Sequence, residues 1–250
     1  MGGHSHWSTI KRKKGAADQK RGKLFSKLTR AISIAARNGG GDPDMNIRLR
    51  HAIDTARASS VPKDNIERAI LKGTGELEGE SLQEITYEGY GPCGVAMIIQ
   101  AVTDNVNRTA PEVRKLFEQH NGKLGGSGAT AWMFKRKGLV ALPKESIEEE
   151  PLFELVLEAG AEDVVDAGSS WEILSDVESF EGVRKAIEGA SLEPEVVELT
   201  FIADNEVDLD AESQKKVLSL MDALEDHDDV QNVYAAFTPS DEVIAELAAG

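Results

Sequence analysis

The chain of 250 residues has few of the residues that build disulfide or metal frameworks. Its single cysteine, Cys93, excludes an intrachain disulfide and a cysteine-rich metal site. Aromatic residues make up only 5% of the chain, and no apolar run approaches the roughly 20 residues that a membrane-spanning helix requires. The first residues are polar and lack the apolar region of a secretion signal. We therefore expect a cytoplasmic protein.

Basic residues are scarce in the second half of the chain and concentrated in the first part. Residues 139–250 hold 5 Lys or Arg against 30 Asp or Glu, whereas residues 1–75 hold 16 against 6. The formal net charge of −16 therefore conceals a basic N-terminal part. Because the local field steers association more than the net charge does, this part is predicted to bind a polyanion.

Three amphipathic helices are predicted between residues 22 and 75. Turn-forming segments separate them, with glycines at 39–41 after the first helix and Pro62 after the second. Short amphipathic helices are not stable alone, so these three are expected to pack as a small bundle.

The remainder of the chain is predicted to form two α/β domains. Strands are expected at 85–87, 95–99 and 130–134, with a helix that opens at Thr109 in a capping box. After residue 138 the order is β-α-β-β-α-β, with element bodies at 139–142, 151–159, 163–165, 171–174, 183–187 and 196–202. This order is typical of the split βαβ, or ferredoxin-like, plait.

A last helix, at about 211–225, and a last strand, at 230–237, have no sheet of their own. We predict that they complete the middle domain, so that the acidic plait is inserted in it; a linear arrangement without insertion is the alternative. The predicted fold class is α+β, with a three-helix domain at 1–78 followed by two ferredoxin-like (split βαβ) domains, the middle one at 79–137 plus 206–250 and the inserted one at 138–205.

A cluster of cations near the N-terminus is the main candidate for a nucleic-acid contact, and Asp18 is the only acid that lies between its members in the sequence. Those members are Lys11, Arg12, Lys13, Lys14, Lys20, Arg21, Lys23, Lys27 and Arg30. Contacts of this kind neutralise phosphates and give an affinity that falls steeply with salt. The alternative is a charged face that is only solvated. Trp7 precedes the cluster and either stacks on an unpaired base or folds back on the helices.

Asn107 and Arg108 form a second, weaker candidate at the entrance of a helix, where free N–H groups favour anions. Capping and turn chemistry is the alternative explanation of the same residues. Gly2-Gly3-His4 has the donor pattern for Cu(II) or Ni(II), but we predict no physiological metal site or cofactor there. Because no nucleophile and base are suitably spaced, we expect no enzymatic activity.

Several motifs spread over the chain together resemble one known family. They are Gly3-His4-Ser5-His6-Trp7, Ala36-Arg37-Asn38-Gly39-Gly40-Gly41-Asp42-Pro43, Val61-Pro62-Lys63-Asp64-Asn65-Ile66-Glu67-Arg68-Ala69-Ile70, Tyr87-Glu88-Gly89-Tyr90-Gly91-Pro92, Asp104-Asn105 with Asn107-Arg108-Thr109, and Ala131-Trp132-Met133-Phe134. The chain resembles the YebC/PmpR family, which is related to the mitochondrial translational activator of cytochrome oxidase subunit one. The resemblance implies three domains and a cytoplasmic DNA-binding transcriptional regulator, or alternatively a ribosome-associated translation factor.

Three functions thus remain as hypotheses. The first is a DNA-binding regulator of transcription that uses the basic arm, and the second is a translation factor that binds ribosomal RNA with the same arm. The third is a protein adaptor that uses the acidic α/β domains. Oligomeric state and target sequence are not predicted.

Overall fold

The computed structural model of the chain describes residues 18–79 and 81–249. These residues divide into two units, one of residues 18–130 with 216–233 and the other of residues 131–215 with 234–249. Their helices and strands are α1 (Asp18–Gly39), α2 (Ile47–Ala58), α3 (Lys63–Thr74), β1 (Gln83–Tyr90), β2 (Ala96–Thr103), α4 (Val106–Gln119), β3 (Lys123–Leu124), β4 (Phe134–Pro143), α5 (Glu149–Glu158), β5 (Ala161–Asp166), β6 (Ser170–Ser175), α6 (Phe180–Gly189), β7 (Val196–Ala203), α7 (Ala211–Glu225), β8 (Val230–Ala235) and α8 (Asp241–Ala249).

Helices α1 to α3 form the predicted three-helix bundle. Their apolar faces meet in one core, which contains Ile32, Leu49, Ile53 and Ile66. The turn between α1 and α2 is fixed by Asn46, whose side-chain oxygen accepts the backbone N–H of Leu49 and caps α2.

Helices α1 and α3 approach each other closely where small residues face each other. The Ser33 hydroxyl donates a hydrogen bond of 2.8 Å to the carbonyl of Ala69. One turn further along α3 lies Gly73, where a Cβ atom would come within 2.3 Å of the Ser33 carbonyl oxygen. A side chain at position 73 would therefore push the two backbones apart.

The Gly73→Ala variant is expected to be less stable than the wild type by about 1 to 3 kcal/mol, because the clash is with backbone. Gly22→Ala is a matched control, since Gly22 also lies in a helix and its added Cβ would meet nothing within 4 Å. That control should be neutral or slightly stabilising, because alanine favours the helix. Urea unfolding followed by circular dichroism measures both. Equal stabilities for the two variants would contradict the close approach.

The first sheet has the strand order β3-β1-β2-β8. Strand β8 lies beside β2, and the N–H of Val102 donates to the carbonyl of Asp229 at 2.8 Å. The chain that follows the second sheet therefore returns to complete the first one, which confirms the predicted insertion.

Two local predictions for the middle domain are wrong. Residues 131–133 form a short 3-10 helix, not the strand predicted at 130–134, and the edge of the sheet is the two-residue β3. The preceding chain is held in a turn because the Glu88 carboxylate accepts the N–H groups of Gly128 and Thr130, both at 2.7 Å.

The second wrong prediction is the capping box at Thr109. Helix α4 begins three residues earlier and is capped by Asn105, whose side chain accepts the N–H of Arg108. Thr109 is fully buried inside the helix and uses its hydroxyl for other contacts. The prediction failed because Asn and Thr are both good capping residues and the sequence offered both.

The second sheet has the strand order β5-β6-β4-β7 with antiparallel neighbours, which is the predicted plait. Helices α5 and α6 cover one of its faces. Leu152 and Val156 of α5 and Val183 and Ile187 of α6 pack there against strand residues that include Val140, Leu142, Trp171 and Ile173. Within residues 18–79 and 81–249, the structure has no helix with the length and apolar character needed to cross a membrane.

Candidate nucleic-acid interface

One face of α1 carries three of the predicted phosphate-binding cations. Lys23, Lys27 and Arg30 follow each other at helical spacing, so they lie on the same side of α1. All three donate to the turn that joins α7 to β8. This basic face is therefore in contact with protein atoms.

The contacts of the two lysines are explained by the end of α7. The Nζ of Lys23 donates to the carbonyl of Asp226 at 3.2 Å, and the Nζ of Lys27 donates to the carbonyl of Glu225. Carbonyls at a helix C-terminus have no partner inside the helix and carry a partial negative charge, which favours nearby cations. The two lysines thus stabilise the C-terminus of α7.

Arg30 joins a buried network around Asp229. The Asp229 side chain is only 2% exposed and accepts a hydrogen bond of 2.8 Å from Arg30. It also accepts from Arg108 at 2.7 Å and from the hydroxyls of Thr109 at 2.7 Å and Thr103 at 3.1 Å. One carboxylate therefore connects α1 with β2, α4 and the start of β8.

The ionisation of Asp229 follows from these contacts. Burial alone would raise the pKa of the carboxyl, but hydrogen bonds from Arg108, Thr109 and Thr103 outweigh it and lower the pKa to about 2. The pKa of Arg108 is raised by its hydrogen bonds to Asp229 and Asp104. The pair is therefore fully charged at neutral pH.

His227 holds the same turn from its other side. Its Nδ1 lies 3.1 Å from the N–H of Asp229, and its Nε2 lies 2.9 Å from the Glu112 carboxylate. Since the backbone group donates, Nδ1 must accept, and Nε2 carries the proton. The ring thus connects the turn to α4.

The predicted site residues have different places in the structure. Trp7 and the cations Lys11, Arg12, Lys13 and Lys14 lie outside the described residues, as does Gly2-Gly3-His4. Lys20 and Arg21 belong to α1, but only their backbone is described. Asn107 is exposed in the first turn of α4. Arg108 is 42% exposed, yet its guanidinium is already paired with Asp104 and Asp229.

The sequence reasoning missed the acidic partner of the basic helix. Asp226, Asp228 and Asp229 follow the end of α7, where negative charge is unfavourable unless cations are close. The unfavourable position of these carboxylates in the sequence indicates that a basic segment packs there. A second group of cations, Arg68 and Lys72 on α3, was also missed, although their spacing places them on one face.

A metal site requires several ligand side chains that lie close together. Across residues 18–79 and 81–249, no cluster of three or more His, Cys, Asp or Glu side chains is arranged to hold a metal ion. The charged groups of the interface are instead paired as acids with bases.

Comparison with known proteins now places this basic bundle and pair of α/β sheets in a family. Residues 5–76 match the model described as the TACO1/YebC protein N-terminal domain, and residues 82–237 match the model described as the TACO1/YebC second and third domain. The chain belongs to the TACO1/YebC family.

Curated relatives match over nearly their whole length. A protein of Geobacter sulfurreducens is 54% identical over 99% of this chain and 100% of its own, and one of Chlorobaculum tepidum is 54% identical over 99% of both. Each bears the name probable transcriptional regulatory protein. Among solved structures, a conserved hypothetical protein of Aquifex aeolicus is 45% identical, with a TM-score of 0.81 over 90% of this chain and 93% of that one.

Proposed function

We propose that this protein is a non-enzymatic, nucleic-acid-binding regulator of gene expression, acting in the cytoplasm as a DNA-binding regulator of transcription. Its relatives are named probable transcriptional regulatory proteins, which supports a regulator at the level of the family. The observation that carries the nucleic-acid part is the net charge of +10 in residues 1–75 of a chain whose total is −16. A concentrated positive charge of this kind favours a polyanionic partner.

The contacts of α1 indicate which cations would bind phosphate. Lys23, Lys27 and Arg30 are used to hold the turn after α7, and Arg108 is paired with buried Asp229. Moving Arg30 and Arg108 away from this turn would leave the buried Asp229 charge uncompensated, which is costly. The proposal therefore assigns the phosphate contacts mainly to Lys11–Lys14, with Lys20 and Arg21 next to them.

A translation factor that binds ribosomal RNA is the second candidate function. The observation that favours it is the same use of α1, because a helix whose basic face packs against protein is a poor recognition helix for the DNA major groove. A basic arm binds the irregular backbone of folded RNA without needing such a helix. An adaptor role of the acidic sheets is a third and weaker candidate.

Removing the gene and comparing transcript abundance with ribosome occupancy tests the two main candidates. Under the transcription proposal, discrete transcripts change in abundance and their ribosome occupancy follows in proportion. Changes of ribosome occupancy at constant transcript abundance would overturn it in favour of the translation factor. Complementation with the intact chain is the control.

A further inference from the structure

A groove of about 690 Å³ lies between α1, α3 and the segment that follows α3, all within the first unit. Ser26 and Thr29 of α1 form one wall, and Asn65, Arg68 and Lys72 of α3 form the other. Its volume is within the range of sites that hold a small organic ligand. The groove is therefore large enough for a nucleotide.

The floor and one end of the groove are apolar. Phe25 is half-buried and packs on the core of the bundle, and Leu77 is 40% exposed although it is a large aliphatic residue. Leu82 closes the end, where its carbonyl accepts a hydrogen bond of 2.6 Å from the Arg37 guanidinium. These side chains are the apolar part of the groove lining.

The rim of the groove is basic. Arg68 and Lys72 are exposed and lie one turn apart on α3, with Arg37 across from them. Among the described lining residues, Glu78 is the only one with a carboxylate. The charge of the rim thus fits a ligand that is itself negative.

Polar groups that could read a ligand lie between the rim and the floor. The half-buried Asn65 amide offers a donor and an acceptor, a combination that pairs with the edge of a base. Ser26 and Thr29 line the groove on the α1 side, where the Thr29 hydroxyl donates to the backbone carbonyl of Phe25 at 2.9 Å. The apolar floor and the amide fit a base, and the basic rim fits its flanking phosphates.

We propose that this groove binds one unpaired nucleotide of a single strand, with its base on Phe25 and Leu77 and its flanking phosphates on Arg68 and Lys72. The inference rests on the proposed nucleic-acid function and adds to it a site for a base, which a basic arm alone does not provide. A duplex cannot use the groove, because its bases are stacked inside the helix.

The test is fluorescence anisotropy of labelled 12-nucleotide single strands, as RNA and as DNA, and of the 12-base-pair duplex. Leu77→Ser leaves every charge in place and removes part of the floor. We expect it to weaken binding of the single strands about 10-fold, as loss of a buried leucine contact does, and to leave the duplex within 2-fold of the wild type. Leu71→Ser is the matched control, since Leu71 is also 40% exposed on α3 but lies outside the groove.

The rim is tested by replacing Arg68 and Lys72 with alanine. Single-strand binding should fall about 10- to 100-fold and duplex binding by less than 5-fold. Replacing Arg57 and Lys63, which are 69% and 85% exposed outside the groove, makes the same change in net charge and should weaken single and double strands to a similar, small extent.

The outcomes separate this inference from the proposed function. If Leu77→Ser and Leu71→Ser bind single strands with equal affinity, the groove is not a nucleotide site, whether or not the arm binds nucleic acid. If the groove variants bind single strands more weakly while neutralising residues 11–14 leaves the affinity unchanged, the groove is a nucleotide site and the proposed role of the arm is wrong. Weaker binding of RNA and DNA single strands, or of RNA single strands alone, by the groove variants supports the inference. An equal loss of affinity for the duplex overturns it.

Discussion

Neutralising the four cations of residues 11–14 with glutamine is expected to weaken binding to nucleic acid roughly 1,000-fold at 0.1 M salt. Each phosphate contact releases a condensed counterion, so four contacts contribute about 3.6 to the slope of log affinity against log salt on duplex DNA. Removing them should flatten the measured slope by about that amount. Anisotropy titrations at 50 to 300 mM salt give the slope and the affinity together.

A control with the same change in net charge distinguishes the arm from charge in general. Arg57, Lys63, Arg114 and Lys123 are exposed on the described part of the chain. Changing these four to glutamine should leave the salt slope within about one unit of the wild type. If both fourfold variants lose the same affinity, the arm has no special part in binding, and the assignment of phosphate contacts to residues 11–14 is wrong.

Replacing Asp229 with asparagine is expected to destabilise the first unit by about 3 to 5 kcal/mol. The carboxylate is 2% exposed and is paired with two arginines, so its removal leaves their charges without a buried partner. A loss of this size corresponds to a thermal midpoint that is lower by roughly 10 °C. Circular dichroism at neutral pH measures it.

The neighbouring carboxylate is a close control for this variant. Asp228 is 69% exposed, and its ion pair with Lys23, at 3.6 Å, lies in contact with water. Because exposed ion pairs contribute little, Asp228→Asn should lower the free energy of unfolding by less than about 1 kcal/mol. Equal effects at the two positions would mean that the Asp229 network does not hold α1 in place.

The contribution of Asp229 should also disappear in acid. Its pKa is lowered to about 2 in the folded protein, so its charged form is stabilised relative to the unfolded chain, where the pKa is near 4. This contribution of about 2.5 kcal/mol is complete above about pH 5 and is lost progressively as the pH falls through 4 and 2 towards about pH 1. The difference in stability between wild type and Asp229→Asn should therefore shrink across that range.

The helical bundle and the plait could be predicted because each of their helices and strands is indicated by a pattern within its own segment of the sequence. Apolar residues at helical spacing and glycine stops give α1 to α3, and the alternation of strands and helices after residue 138 gives the plait. The insertion followed from counting, since α7 and β8 had no other sheet to join. These features need no knowledge of distant contacts.

The unpredicted features depend on contacts between residues far apart in sequence. Arg30 and Asp229 are separated by 199 positions, and neither segment has a sequence pattern that identifies the other as its partner. Strand β3 has only two residues and forms because it lies beside β1, not because of its own pattern. The apolar run at 130–134 was read as a strand, but the bonds from Gly128 and Thr130 to Glu88 hold the chain before it in a turn.

The candidate site was predictable in its chemistry and less so in its geometry. The sequence analysis placed Lys23, Lys27 and Arg30 in the basic cluster, and in the structure their helical spacing places them on one face of α1. It did not indicate that this face packs on protein, since the opposing charges follow α7, some 200 residues later. The same limit hid the groove, whose walls come from two helices and the chain after α3.

Ultraviolet cross-linking in cells, comparing the intact chain with the variant neutralised at 11–14, tests most directly whether the basic arm binds nucleic acid. We expect the intact chain to cross-link to nucleic acid and the variant to lose most of this signal at equal protein abundance. Sorting the attached nucleic acid should show discrete chromosomal DNA if the protein regulates transcription. Cross-linking to one region of ribosomal RNA would contradict the role in transcription, and cross-linking that does not depend on residues 11–14 would contradict nucleic-acid binding by the arm.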